Sequence, residues 1–115
     1  MFWGKLASIN LYGCSPKSIR DSKKIEKYIV ELCRLIDMKR FGKALIQRFA
    51  EGDLEGYSAM QFIETSSITL HFDETQNRAF IDIFSCKDFN AKKAEKFSKD
   101  FFKAKKSNKK VLIRK

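Results

Sequence analysis

Apolar residues recur along this chain with two different periods, and the switches between them mark its elements. From Lys5 to Tyr12 (KLASINLY) apolar and polar positions alternate as in a strand, and Gly13 to Pro16 interrupt the pattern. Ile25, Tyr28, Ile29, Leu32 and Ile36 then fall at three- and four-residue steps, which predicts an amphipathic helix of about five turns. Phe41 to Phe49 reads as a strand, AEGDLEG as a turn, and Tyr57 to Ile63 as the next strand. Ile68–Phe72 and Ala79–Ser85 predict two more, joined by the hairpin-like DETQN. Asn90 is a suitable N-cap for a second helix with Ala94, Phe97 and Phe101 on one face, and KKVLIRK can form a short last strand. Two helices around a run of hairpin-linked strands predict an α+β fold. It is a two-layer sandwich of a mainly antiparallel sheet with two helices on one face.

Composition narrows the class. The 115 residues, without repeats or a linker, form a single domain spanning 1–115, and 43% hydrophobic content with eleven Phe supplies a core. No apolar run reaches the roughly 18 residues that cross a bilayer, and MFWGKLASINLYGC lacks the basic start and cleavage region of a signal peptide. Three Cys without CxxC spacing exclude a disulfide framework and point to a reducing cytoplasm. A zinc site would need Cys14, Cys33, Cys86 and His71 to converge with no ligand-pair spacing, so no metal is expected. The net charge of +10, much of it in Lys103, Lys105, Lys106, Lys109, Lys110, Arg114 and Lys115, gives sequence-independent affinity for phosphate. No nucleic-acid-binding motif accompanies it, and a solvated Lys-rich surface accounts for it.

Candidate chemistry gathers between Tyr57 and Lys87. Ser58, Ser66, His71 and Cys86 are two hydroxyls, the only imidazole and a thiol, all on or beside expected strands. Each alone has an ordinary structural explanation. Their joint spacing, together with GKLASINLYGCSP near the start, resembles the bacterial-type S-adenosylmethionine decarboxylases. In that family a Leu-Tyr-Gly-Cys turn follows the first strand, and a Ser precedes the self-cleaving Ser by eight residues. The processing His follows five residues later, and a catalytic Cys fifteen beyond that, the spacings of Ser58, Ser66, His71 and Cys86 here.

The resemblance implies self-cleavage between Thr65 and Ser66, giving a 1–65 β chain and a 66–115 α chain. Ser66 would attack the Thr65 carbonyl to form an ester, and His71 would remove its α-proton. Ser58 would steady the intermediate, and the dehydroalanine left at 66 would become a covalent pyruvoyl group. That group would take the substrate amine as a Schiff base and act as electron sink. Cys86 would return a proton to the substrate α-carbon. The family also implies a homodimer with sites at the subunit interface.

Two departures bear on this expectation. The residue before the cleaved Ser is Thr65 where the family has Glu. Ser66 and His71, five apart, would lie on opposite faces of a regular strand, so a bend or bulge near Ser66, or a strand starting after it, is expected. Where the family continues Thr-Trp-Pro-Glu after the His, this chain reads Phe72, Asp73, Glu74, Thr75. S-adenosylmethionine remains the first substrate expectation, with Phe49 or Phe72 as aromatic wall and Glu74 as ribose partner. The alternative is arginine or ornithine, with Asp73 meeting the cationic tail. An alternative of another class is a non-catalytic basic module that binds nucleic acid or regulates.

Overall fold

A computed structural model describes residues 2–115. β1 (Gly4–Tyr12) buries Ala7, Ile9 and Leu11 on one side, as its alternation requires. α1 (Pro16–Ile19), a single turn absent from the sequence reading, starts on the helix-compatible φ of Pro16. α2 (Ser22–Leu35) starts where the Asp21 carboxylate accepts the N–H groups of Lys23 and Lys24. Its 14 residues bury Ile25, Tyr28, Ile29, Leu32 and Cys33, so it is about four turns, one fewer than expected.

The strand expected from Phe41 starts only at Leu45. Gly42 takes φ 76°, which breaks the extended run before β2 (Leu45–Phe49). A 3-10 turn at Gly52–Leu54 leads to β3 (Gly56–Ile63), then β4 (Ser66–Asp73), β5 (Arg78–Ser85), α3 (Ala91–Phe101) and β6 (Lys106–Arg114). Asn90 caps α3 by accepting the Lys93 N–H at 2.9 Å, as expected. The last strand is nine residues rather than a short addition, and pairs with β1 from Gly4↔Arg114 to Tyr12↔Lys106. The Lys-rich tail is therefore an ordered edge strand. Charged edges of this kind resist pairing with further strands.

Every strand pairing is antiparallel, in the order β2-β3-β4-β5-β1-β6. The sheet buries one face under the helices, which confirms the α+β sandwich. Tyr28, fully buried, stacks on Phe97 and lies 4.7 Å from the Phe102 ring, which in turn meets Phe72 edge-on at 5.3 Å. Its hydroxyl is hydrogen-bonded to Ser98 Oγ at 2.6 Å, so the phenol is satisfied where it is buried. Among the described residues, the opposite face of the sheet carries no helix. Leu45, Phe49, Met60, Phe62 and Leu112 are exposed on it.

Candidate active site

β3 and β4 are joined by a two-residue turn, Glu64–Thr65, closed by the pair Ile63↔Ser66. Pairing continues from there without a bulge to Ser58↔His71, so the expected kink is not present. The irregularity sits in Ser66 itself, the first residue of β4. Its φ of 156° lies at the margin of a region that side-chain-bearing residues rarely occupy. The turn is fixed from both sides. Glu64 N–H donates to Lys39 O at 2.9 Å, and Cys86 N–H donates to Thr65 O at 2.9 Å. Thr65 Oγ1 is 2.7 Å from Ser85 Oγ.

Ser58 and His71 face each other across β3 and β4, with Ser58 Oγ 2.8 Å from His71 Nδ1. This bond orients the ring. With Nδ1–H donating to Ser58, Nε2 keeps its lone pair and can act as a base. Five residue steps at about 3.3 Å each put this pair roughly 17 Å from Ser66 along the same hairpin. Within one protomer the candidate residues thus fall into two separate groups, Ser66 near Cys86 and Ser58 with His71.

Cys86 follows β5 and is exposed. Cys14 and Cys33 are buried, and burial pushes both thiols up to about 11. They stay protonated, which leaves Cys86 as the accessible thiol.

The residues proposed for substrate binding divide. Phe49 is exposed and lines a 220 Å³ cavity with Leu45, Gln47, Met60, Ser58 and His71. Phe72 is 5% exposed and packed on Phe102, so it belongs to the core and is not an aromatic wall on the open face. Glu74 is also turned away from that face. Arg48 grips both its carboxylate oxygens at 2.7 and 2.8 Å, and Arg20 Nε reaches Oε1 at 3.3 Å. The Arg48 hydrogen bonds hold the Glu74 carboxyl below the usual range, and its two oxygens are engaged by three arginine N–H groups. Asp73 accepts the N–H groups of Thr75 and Gln76 and pairs with Arg78 at 2.6 Å, yet it still lines a second cavity. That cavity, about 410 Å³, adjoins His71 and includes Asp53, Leu54, Arg78 and Phe80, none of which the sequence reading singled out. Arg78 was the recoverable one, because it stands opposite Asp73 across the expected hairpin.

Comparison with known proteins bears on this arrangement. Residues 5–115 match the family model for S-adenosylmethionine decarboxylase. A Clostridium botulinum (strain Langeland) protein named S-adenosylmethionine decarboxylase proenzyme is 30% identical over 107 residues, 92% of this chain and 89% of the relative. A Pyrobaculum arsenaticum protein named arginine decarboxylase proenzyme is 28% identical over 83 residues, 72% of this chain. The match spans only 62% of that relative's length. The crystal structure of the adenosylmethionine decarboxylase from Aquifex aeolicus has the same fold, with a TM-score of 0.82 over 98% of this chain and 91% of that one at 18% identity. A family match across nearly the whole chain, joined by a relative of similar length, makes this chain a member of the S-adenosylmethionine decarboxylase family.

Proposed function

We propose that this chain is a self-processing, pyruvoyl-dependent decarboxylase that cuts itself between Thr65 and Ser66 and acts on S-adenosylmethionine as a symmetric homodimer. The observation that carries the reading is the Cys86 N–H donated to the Thr65 carbonyl beside Ser66. Attack by Ser66 Oγ on that carbonyl carbon puts negative charge on an oxygen that already holds a donor. The C–N bond then breaks and an ester links Thr65 to the Ser66 side chain. Proton removal from Ser66 Cα by a His71 Nε2 expels the Thr65 carboxylate. The dehydroalanine left at 66 tautomerises to an imine, which takes up water and releases ammonia to leave a pyruvoyl group, the electron sink that α-decarboxylation requires. Cys86, the accessible thiol, is suited to hold the proton returned to the substrate.

A gap of roughly 17 Å within one hairpin is too wide for His71 to serve its own Ser66. It fits a pairing of two open sheet faces, which stack about 10 Å apart. A two-fold axis crossing β4 between Ile68 and Thr69 would bring the partner subunit's His71 to the Ser66 end of β4, where Ser66, of the same parity as Ile68 and Leu70, must turn out of the strand alternation to meet it. It would also cover the exposed Leu45, Phe49, Met60 and Phe62. Phe49, exposed beside His71, is then the best candidate for an aromatic wall against adenine.

A second reading, arginine or ornithine as substrate, has its own support. Phe72 and Glu74 are engaged elsewhere, while the cavity beside His71 offers Asp53, Asp73 and the Phe80 ring to a cationic tail. The Pyrobaculum relative carries the name of an arginine decarboxylase proenzyme. The test is intact mass followed by carbon dioxide release from S-adenosylmethionine, arginine and ornithine in parallel. The processing reading requires fragments meeting at Thr65 and residue 66, and a purified active chain that stays at 13.4 kDa rules it out. Preference for a basic amino acid, with Asp73→Asn raising KM for it alone, would decide for the second substrate.

A further inference from the structure

We infer that Ser85 is a positioning residue for self-cleavage, acting through the Thr65 side chain to hold the scissile carbonyl on the Cys86 N–H. The inference rests on the reading of Thr65–Ser66 as the scissile bond. Ser85 is a fully buried hydroxyl at the last position of β5, directly opposite Ser66 in the β4–β5 register. A buried hydroxyl must find partners, and this one finds three. Its Oγ accepts the Lys87 N–H at 2.9 Å, lies 2.7 Å from Thr65 Oγ1, and is 3.6 Å from Met38 Sδ. Met38 Sδ is also 3.4 Å from Thr65 Oγ1, so the two hydroxyls have an acceptor for the proton they do not share.

The consequence follows from counting the constraints on Thr65. Its carbonyl oxygen is held by Cys86 N–H and its side chain by Ser85 Oγ, from adjacent residues of one strand end. Two anchor points on one residue fix the rotation of the peptide plane between Thr65 and Ser66. One point alone leaves the carbonyl free to swing about the other. Lys39 O, accepting from Glu64 N–H, fixes the Ile63–Glu64 peptide at the start of the turn and keeps the turn from following such a swing. Acyl transfer to Ser66 Oγ needs the carbonyl carbon aligned with that oxygen and its own oxygen on a donor, so losing the side-chain anchor costs alignment at the reacting atom. Thr65, which stands where the family has Glu, supplies the hydroxyl that the clamp requires.

The test follows cleavage of freshly made full-length chain by denaturing electrophoresis and intact mass, with thermal unfolding as a check on the fold. Ser85→Ala and Thr65→Val should each slow the appearance of the fragments about 3- to 10-fold, the range of one hydrogen bond. Thr65→Ser should restore near-normal cleavage because it keeps the hydroxyl. The double variant should be no slower than the slower single one, since both delete the same bond. Added hydroxylamine, which cleaves esters, separates a positioning role from a merely structural one. Ser85→Ala should show less trappable ester than wild type, while His71→Ala should accumulate it. Cleavage at the wild-type rate in Ser85→Ala, or in Thr65→Val should Ser85→Ala not fold, overturns the inference. So do additive effects in the double variant. A wild-type chain that is never cut at 65–66 overturns the processing reading itself, and this inference with it.

Discussion

Mixing two dead protomers is the sharpest check on the split site. Ser66→Ala removes the proposed nucleophile but leaves Ser58 and His71, and His71→Ala removes the proposed base but leaves Ser66 and Cys86. The roughly 17 Å between the half-sites exceeds any hydrogen-bond reach, so neither variant should cleave alone. In a mixed dimer with composite sites, one site regains Ser66 from the His71→Ala chain and His71 from the Ser66→Ala chain. The other site lacks both. Random pairing of equal amounts puts about half of all chains in mixed dimers. About half of the His71→Ala chains should therefore be cut, and none of the Ser66→Ala chains. Active sites should number about a quarter of those in wild type. Co-expression with tags of different mass, followed by denaturing electrophoresis and intact mass, reads the fraction directly. If mixed dimers form and every chain stays whole, the two half-sites do not complete each other across the interface. If His71→Ala cleaves alone at the normal rate, His71 is not the base.

Three other outcomes follow from contacts already described. Cys86→Ser should keep self-cleavage, because the donor to Thr65 is the backbone N–H, while carbon dioxide release falls by about 10²–10⁴ with loss of the acid. Equal slowing of both steps would contradict the separation of roles. Glu74→Gln should cost about 1–2 kcal/mol at pH 7 by urea unfolding, discounted because Arg48 is partly exposed. Glu74 has its native carboxyl held low by Arg48, so its contribution is present above the unfolded value of about 4.3. It is lost as pH falls through the native value, and the gap between wild type and variant should close in acid. Gly56→Ala should destabilise by about 2 kcal/mol or more, since the new Cβ would strike the Phe72 carbonyl oxygen, which the β4 backbone holds in place. An unchanged melting temperature would refute that.

The legible parts of this fold were those whose causes are local. Alternation in β1, β3, β4 and β5 and the three- and four-residue steps of α2 each arise within one element. β6 was underestimated because two positions facing the helices, Ser107 and Lys109, are polar. Both are satisfied by Glu95 of α3, which their own segment does not reveal. The core position of Phe72 was open to inference, since it shares the parity of Ile68 and Leu70. The capture of Glu74 was not, because Arg48 and Arg20 come from β2 and the end of α1. Spacing singled out Ser58, Ser66, His71 and Cys86 as candidates, and period-two arithmetic already set Ser66 and His71 on opposite faces of a regular strand. The clamp on Thr65 by Ser85 and Met38 joins three distant segments, and only the fold brings them together.

The strand order has a consequence for a chain cut between Thr65 and Ser66, as proposed. Residues 1–65 supply β1, β2 and β3, and residues 66–115 supply β4, β5 and β6, so across the sheet the two pieces run in alternating blocks. β1 of the first piece is wedged between β5 and β6 of the second, and β4 holds the opposite flank of β5 against β3. Three of the five ladders therefore join different pieces, and neither piece can leave without tearing out the centre of the sheet. Cleavage at a turn would change the covalent connectivity while the hydrogen-bonded fabric stays whole. It would also make folding history one-way. The uncut chain folds as one molecule, whereas two pieces once unfolded must find each other in solution, so the mature protein would depend on the barrier to unfolding rather than on refolding.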